Sequence, residues 1–207
     1  IVEDWESLNS NTEGILVIRA TQGQYAPGST FKVVTTLAYM RQNANYQDYT
    51  YRCTGEITAG KNEIHCFGND VHGTVDLADS LAYSCNTSFS NIGLSLDIDE
   101  FRNTAEDLLF DSELPCPLVY NESKFNLQDD DGDAAIAMTA FGQGKLQVSP
   151  YHMALITSAI ANNGILMQPY LVDQITSAEG ETVEKYVPES YKELMTCLLY
   201  TSPSPRD

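Results

Sequence analysis

Apolar residues crowd several faces of the stretch Phe31 to Asn43, which predicts a buried helix there. Helical spacing also marks Leu77 to Asn86, Ser88 to Leu94, Ile98 to Leu109, Ala134 to Phe141 and Ser149 to Asn162. Asn163-Gly164 is a stop signal for the last of these. Asp4 to Asn9 reads as a short helix or turn, and Tyr191 to Met195 as the start of another helix. Strand-like alternation is confined to two places. Tyr49 to His65 reads as a small hairpin excursion. Tyr170 to Ile175 and Thr182 to Val187 pair across Ser177-Ala178-Glu179-Gly180. Residues 111 to 132, rich in Asp, Pro and Asn, read as loop. No internal repeat or low-complexity linker interrupts the pattern. The expectation is one α+β domain dominated by helices, with small β-hairpins.

Composition sharpens this picture. The 207 residues are 43% hydrophobic, enough for a real core and too apolar for wholesale disorder. No stretch reaches the ~20 apolar residues of a membrane span. The net charge of −18, from 11 basic and 29 acidic residues, excludes nucleic acid as a partner. Asp129-Asp130-Asp131-Gly132-Asp133 lacks the spaced ligands and distal Glu of a calcium loop and reads as a solvated turn. Five cysteines are present. Cys53 and Cys66 flank Thr54 to His65; a disulfide clip in an oxidising exterior and two free buried thiols both fit. Cys85 is expected to be packed. His65, His72 and His152 have no zinc-like spacing with the cysteines, so no metal is expected. His72-Gly73 reads as a structural turn, and His152 as a residue at a helix N-terminus.

The chemistry concentrates in Ser29-Thr30-Phe31-Lys32, which follows Tyr25-Ala26-Pro27-Gly28. Pro and Gly before a hydroxyl residue deliver the chain into a helix, and a three-residue spacing puts Ser29 and Lys32 on one face. The positive end of the helix dipole favours developing negative charge at Ser29. Lys32, among Phe31, Val33 and Val34, is expected to be desolvated, which lowers an ammonium pKa. A neutral lysine beside a hydroxyl is a general base. Taken alone, the tetrapeptide also fits a helix cap followed by a surface lysine. Further along, Ser84-Cys85-Asn86 adds a second hydroxyl for proton relay and an amide that can bind a substrate carbonyl and Lys32. Taken alone, it fits a helix C-terminal cap.

Together these motifs resemble the transpeptidase domain of penicillin-binding proteins, most closely the monofunctional class B type of Gram-positive bacteria. Arg19-Ala20-Thr21-Gln22-Gly23, His72-Gly73, Ser84-Cys85-Asn86-Thr87, Gly142-Gln143-Gly144, Ser149-Pro150, and Ala161-Asn162-Asn163-Gly164 to Pro169-Tyr170 carry the resemblance in the family's order, over about residues 4 to 190. The family's third motif, Lys-Thr-Gly or Lys-Ser-Gly, is absent from these 207 residues. The resemblance implies a β-lactamase/transpeptidase-like fold with the active site between a sheet edge and a helical lobe. It implies a D,D-transpeptidase that cross-links peptidoglycan stem peptides through an acyl-serine. Ser29 is then the nucleophile, Lys32 the base, Ser84 the proton relay and Asn86 the substrate-positioning residue. No metal or organic cofactor is implied. The implied partners are stem peptides, β-lactams and other cell-wall synthesis proteins. The implied location is the extracytoplasmic face of the cell membrane, held by an anchor upstream of residue 1. A serine β-lactamase, with Glu113 or Glu122 as its deacylating base, and a non-catalytic β-lactam sensor or wall-binding module are the alternatives.

Residues 197–207 look like no protein element. Codons can be written for them that match a transposase adapter used in sequencing libraries. The expectation is therefore a partial transpeptidase domain over residues 1–196, followed by adapter read-through. Ile1 in place of Met suggests a cut front as well. Without the strand that bears the third motif, the fragment is expected to hold half a site and to be inactive.

Overall fold

The computed structural model describes residues 5–10, 12 and 14–195; the expected read-through at 197–207 lies outside the described residues. Among the described residues the helices are α1 (Trp5–Asn9), α2 (Arg19–Gln22), α3 (Lys32–Gln42), α4 (Leu77–Ala82), α5 (Asn86–Ser95), α6 (Ile98–Asp107), α7 (Asp133–Ala140) and α8 (Pro150–Ala161). The strands are β1 (Tyr51–Cys53), β2 (Glu56–Ala59), β3 (Asn62–His65), β4 (Gly73–Val75), β5 (Ile165–Met167), β6 (Gln174–Thr176), β7 (Thr182–Lys185) and β8 (Ser190–Glu193). They pair only two by two, all antiparallel: β1 with β4, β2 with β3, β5 with β8, and β6 with β7.

The expected buried helix is α3. Val34, Leu37 and Ala38 are buried along it, and Phe31 is buried at its head. The Phe31 ring meets Phe110 edge-on at 5.7 Å and lies 6.2 Å and 6.3 Å from Phe101 and Phe125, so one side chain joins α3 to α6 and to the 111–132 loop. Burying an aromatic ring of this kind anchors the turn that carries Ser29. Behind α3, Thr35 Oγ1 donates to the Ala140 carbonyl at 2.7 Å. There α7 packs closely on α5: a Cβ added to Gly93 would lie 2.4 Å from Ala140 Cβ.

Helix starts follow the local chemistry. Asp76, Asp97 and Ser149 accept from the backbone N–H three residues on, and Pro150 occupies the first turn of α8. The 111–132 loop is fixed by a bridge between Lys124 and Gln147, beside a second bridge between Tyr25 and Val148.

Three expectations are corrected. Tyr191–Met195 does not begin a helix; Ser190–Glu193 is β8, drawn into strand by pairing with β5. The stretch Leu77 to Asn86 is not one helix. It ends at Ala82 and turns through Ser84 at φ 53° before α5 begins at Asn86. Tyr49 to His65 is not one hairpin: β2 and β3 form it, whereas β1 pairs with the distant β4. Alternation reports a half-buried strand but not its partner.

Candidate active site

Ser29 lies in a 3₁₀ turn, Gly28–Phe31, that runs directly into α3 at Lys32. The tight turn has a specific support. Gly28 N–H donates to the Gly142 carbonyl at 2.8 Å, and a Cβ on Gly142 would lie 1.9 Å from the Gly28 carbonyl oxygen. Gly142 also sits at φ +83°. Only glycine fits that contact and that conformation together. The Gly142-Gln143-Gly144 segment is thus the backbone brace behind the Ser29 turn.

Lys32 is 1% exposed. Its Nζ lies 3.1 Å from Ser29 Oγ, 2.8 Å from Ser84 Oγ, 2.7 Å from the Ser84 carbonyl and 2.7 Å from Asn86 Oδ1. Ser84 Oγ lies 2.9 Å from Ser29 Oγ, which closes a triangle of two hydroxyls and one amine. Burial pushes Lys32 down to about 8, opposed by the nearby Cys85 and Cys66 sulfurs. About a tenth of such a group is neutral at pH 7. A neutral amine has two N–H bonds and one lone pair. The Ser84 carbonyl and Asn86 Oδ1 can only accept, so they take the two N–H bonds. The lone pair is left facing the hydroxyls of Ser29 and Ser84. The arrangement can therefore deprotonate one hydroxyl and pass the proton through the other.

Asn86 Nδ2 donates to the His65 carbonyl at 3.2 Å, so the amide is held from both ends. Ser29, Ser84 and Asn86 line a cleft of about 440 Å³ together with Phe67, Tyr83 and Gln143. Phe67 is 91% exposed and Tyr83 is 56% exposed, apolar surface at the mouth of a polar site.

All four residues singled out in the sequence meet at one point. The turn at Ser84 is what the helical reading missed: its left-handed backbone aims the hydroxyl at Ser29. Phe67 and Tyr83 were not singled out in the sequence, and Gln143 entered only within Gly142-Gln143-Gly144. A further group was missed through its spacing. Cys53, Cys66, His72 and Cys85 come together beside the cleft. The cysteines are free thiols, and Cys53 Sγ and Cys66 Sγ are 3.7 Å apart, not the ~2.05 Å of a disulfide. Cys85 is fully buried, as expected, and burial pushes its thiol up to about 12. Burial also raises Cys53, but hydrogen bonds from Thr87 and His72 outweigh it and leave this thiol at about 6. His72 is therefore more than a turn residue.

Glu113 is exposed, and Glu122 is paired with Lys124 at 2.8 Å; neither lines the cleft. Among the described residues no helix is long and apolar enough to cross a membrane.

The family model for the penicillin binding protein transpeptidase domain matches residues 4–202. The peptidoglycan D,D-transpeptidase PbpA of Mycolicibacterium smegmatis is 34% identical over 190 residues, covering 89% of this chain and 38% of that protein. The PbpA of Mycobacterium tuberculosis is 35% identical over 176 residues, covering 83% and 35%. The chain thus spans little more than a third of these relatives. Among solved structures, the imipenem acyl-enzyme complex of penicillin-binding protein A from M. tuberculosis superposes with a TM-score of 0.83 at 28% identity, over 96% of this chain and 46% of that one. The D,D-transpeptidase domain of a peptidoglycan glycosyltransferase from Eggerthella lenta gives 0.84 at 28% identity, over 96% and 52%. With Ser29, Lys32, Ser84 and Asn86 gathered around one cleft, the chain belongs to the penicillin-binding protein transpeptidase domain family.

Proposed function

We propose that this chain carries the nucleophile side of a D,D-transpeptidase that cross-links peptidoglycan at the extracytoplasmic face of the cell membrane. The observation that carries the proposal is the triangle of Ser29 Oγ, Lys32 Nζ and Ser84 Oγ, with sides of 2.8 to 3.1 Å. Ser29 attacks the carbonyl of the penultimate D-Ala of a stem peptide while Lys32 takes its proton. The terminal D-Ala leaves as the amine, protonated through Ser84. An amine of a second stem peptide then attacks the acyl-serine and restores the Ser29 hydroxyl. Asn86 donates to the acyl-donor peptide once its Nδ2 is released from the His65 carbonyl. β-Lactams acylate Ser29 as mimics of the stem peptide; the acyl-enzyme complex of the M. tuberculosis neighbour supports this.

Hydrolysis of the acyl-enzyme, the β-lactamase alternative, needs a base that activates water in the cleft, in class A enzymes a glutamate. Glu113 and Glu122, the two glutamates weighed for that role, do not line the cleft; the carboxylate that does is Asp70.

The 207 residues contain no Lys-Thr-Gly or Lys-Ser-Gly. We propose that these residues by themselves acylate slowly: the family resemblance implies that the Lys-Thr-Gly strand supplies one oxyanion N–H, and loss of one such preorganised donor costs on the order of 3 kcal/mol. The test joins these residues to a strand bearing that motif and supplies a stem-peptide donor with an amine acceptor. Release of D-Ala together with a cross-linked product supports the reading. Antibiotic hydrolysis without cross-linking would make the protein a β-lactamase. Stable acylation with neither product would make it a sensor.

A further inference from the structure

Four side chains with metal-binding atoms converge beside the Ser84 turn, and one of them, His72, also lines the cleft. Cys53 Sγ, Cys66 Sγ, His72 Nδ1 and Cys85 Sγ all lie within 4.8 Å of one another. Cys66 Sγ is 3.7 Å from Cys53 Sγ and 3.8 Å from Cys85 Sγ. His72 Nδ1 is 3.4 Å from Cys53 Sγ and 3.7 Å from Cys66 Sγ. A tetrahedral zinc with Zn–S near 2.3 Å and Zn–N near 2.0 Å requires S···S edges of about 3.8 Å and S···N edges of about 3.5 Å. These four separations match those edges, and the remaining two, from Cys85 Sγ to Cys53 Sγ and to His72 Nδ1, lie within 4.8 Å.

The surroundings suit thiolates. The Thr87 hydroxyl donates to Cys53 Sγ at 3.3 Å and lies 3.4 Å and 3.5 Å from the sulfurs of Cys85 and Cys66. The Ser88 backbone N–H donates to Cys85 Sγ at 3.4 Å. Outer donors of this kind fix ligand sulfurs and moderate their charge. The His72 ring is stacked on Tyr83 with centroids 5.8 Å apart, which holds its Nδ1 towards the sulfurs. Three buried cysteines and a partly buried histidine make a closed set of four ligands, with no position left for water. That is the pattern of a structural site rather than a catalytic one. The other group of candidate ligands, Glu56, Glu63 and His65, is exposed on the β2–β3 hairpin and has no such enclosure.

We propose that Cys53, Cys66, His72 and Cys85 bind one structural zinc ion that fastens the Ser84-Cys85-Asn86 turn to the β1–β4 pair. Each ligand comes from a different place: Cys53 ends β1, Cys66 follows β3, His72 precedes β4, and Cys85 caps α5. Binding displaces the three thiol protons to solvent and leaves the ZnS₃N centre with one net negative charge. Cys85 stands between Ser84 and Asn86 in the chain, so a metal bond to its sulfur limits movement of both neighbours. Ser84 has the strained φ of 53°, and its position depends on what holds the residues beside it.

The metal site stands by itself; its effect on acylation rests on the transpeptidase reading. The first test uses the chain purified in reducing buffer without chelator. The expected result is one zinc per chain by elemental analysis, in wild type and in Ser29→Ala alike. Cobalt in place of zinc should give intense tetrahedral visible bands and sulfur-to-cobalt charge transfer, a readout on the wild-type chain that needs no variant. Cys66→Ser and His72→Ala should each lose the ion or weaken its retention against a chelator by at least tenfold. A fully reduced chain that binds no zinc or cobalt, or variants that retain zinc as wild type does, would overturn the proposal. So would a Cys53–Cys66 disulfide that persists in mild reductant, seen as a mass two hydrogens lower. The second test strips zinc from the chain joined to its Lys-Thr-Gly strand. Penicillin acylation should fall on the order of 10²-fold, as for a catalytic group displaced by about 1 Å, and recover when zinc returns. If the chain binds zinc but Ser29 is never acylated, the transpeptidase reading fails and the metal site stands. If acylation is unchanged by stripping, the positioning role fails.

Discussion

Lys32 Nζ stands 2.7 Å from Asn86 Oδ1, although the two residues belong to different helices and different motifs. The contact joins the head of α3 to the head of α5 and occupies one N–H of the lysine. It therefore helps to decide which atom of Lys32 faces Ser29.

Lys32 carries the pH dependence. Only its neutral form is a base, and burial brings its pKa to about 8. The rate of acylation by penicillin should rise with pH and level off above about 8, the low-pH limb belonging to Lys32. Lys32→Ala should slow acylation by roughly 10²- to 10⁴-fold and remove that limb. Stopped-flow acylation across pH checks both; a rate within threefold of wild type would make Lys32 structural only.

Asn86→Asp places a carboxylate where the neutral amide oxygen now accepts from Lys32. A negative neighbour favours the ammonium, so the limb should move to higher pH by about one unit or more. At pH 7 acylation should fall at least fivefold, with partial recovery at alkaline pH. An unmoved limb would mean that Asn86 does not face the base in solution.

Gly142→Ala tests the brace behind Ser29. The added methyl would overlap the Gly28 carbonyl, and its backbone would hold a positive φ that disfavours alanine. The expected cost is about 1–3 kcal/mol, together with slower acylation even though no catalytic side chain has changed. Chemical denaturation and labelling measured on the same preparation check it; full activity and stability would contradict the close contact.

His152 should make the fold acid-sensitive. It is fully buried, its Nε2 lies 2.7 Å from the Leu108 carbonyl, and its Nδ1 has no partner. Burial pushes its pKa down to about 4 from 6.5. The unfolded chain takes up a proton below 6.5 and the folded one only below about 4. The stability associated with neutral His152 is therefore present above pH 6.5 and lost as pH falls from there to about 4, to a limit of about 3 kcal/mol. Denaturation midpoints at pH 7 and pH 4.5, compared in wild type and His152→Gln, check this; the variant should lose less stability on acidification.

Much of the site was legible in the sequence because its chemistry is local. Ser29 and Lys32 are one helical turn apart, and Pro27-Gly28 announces the turn before them. Ser84 and Asn86 were legible as residue types, but the helical pattern around them hid the break that gives Ser84 its direction. The Cys53, Cys66, His72 and Cys85 cluster was illegible for a different reason. Its members lie at the end of β1, just after the β2–β3 hairpin, just before β4 and in the Ser84 turn, so only the fold brings them together. The β1–β4 register, with Cys53 opposite Gly73, is a tertiary fact. Ser190–Glu193 shows the same principle: a segment that local pattern reads as helix becomes strand because β5 offers an edge.

The central claim is that Ser29 is the acylated nucleophile. Its most direct test is intact-mass and peptide analysis after exposure to a fluorescent penicillin, using the residues described here joined to a Lys-Thr-Gly strand. The account predicts one adduct per chain, on the peptide that contains Ser29, and none in Ser29→Ala. An adduct on another residue, or undiminished labelling of Ser29→Ala, would contradict it.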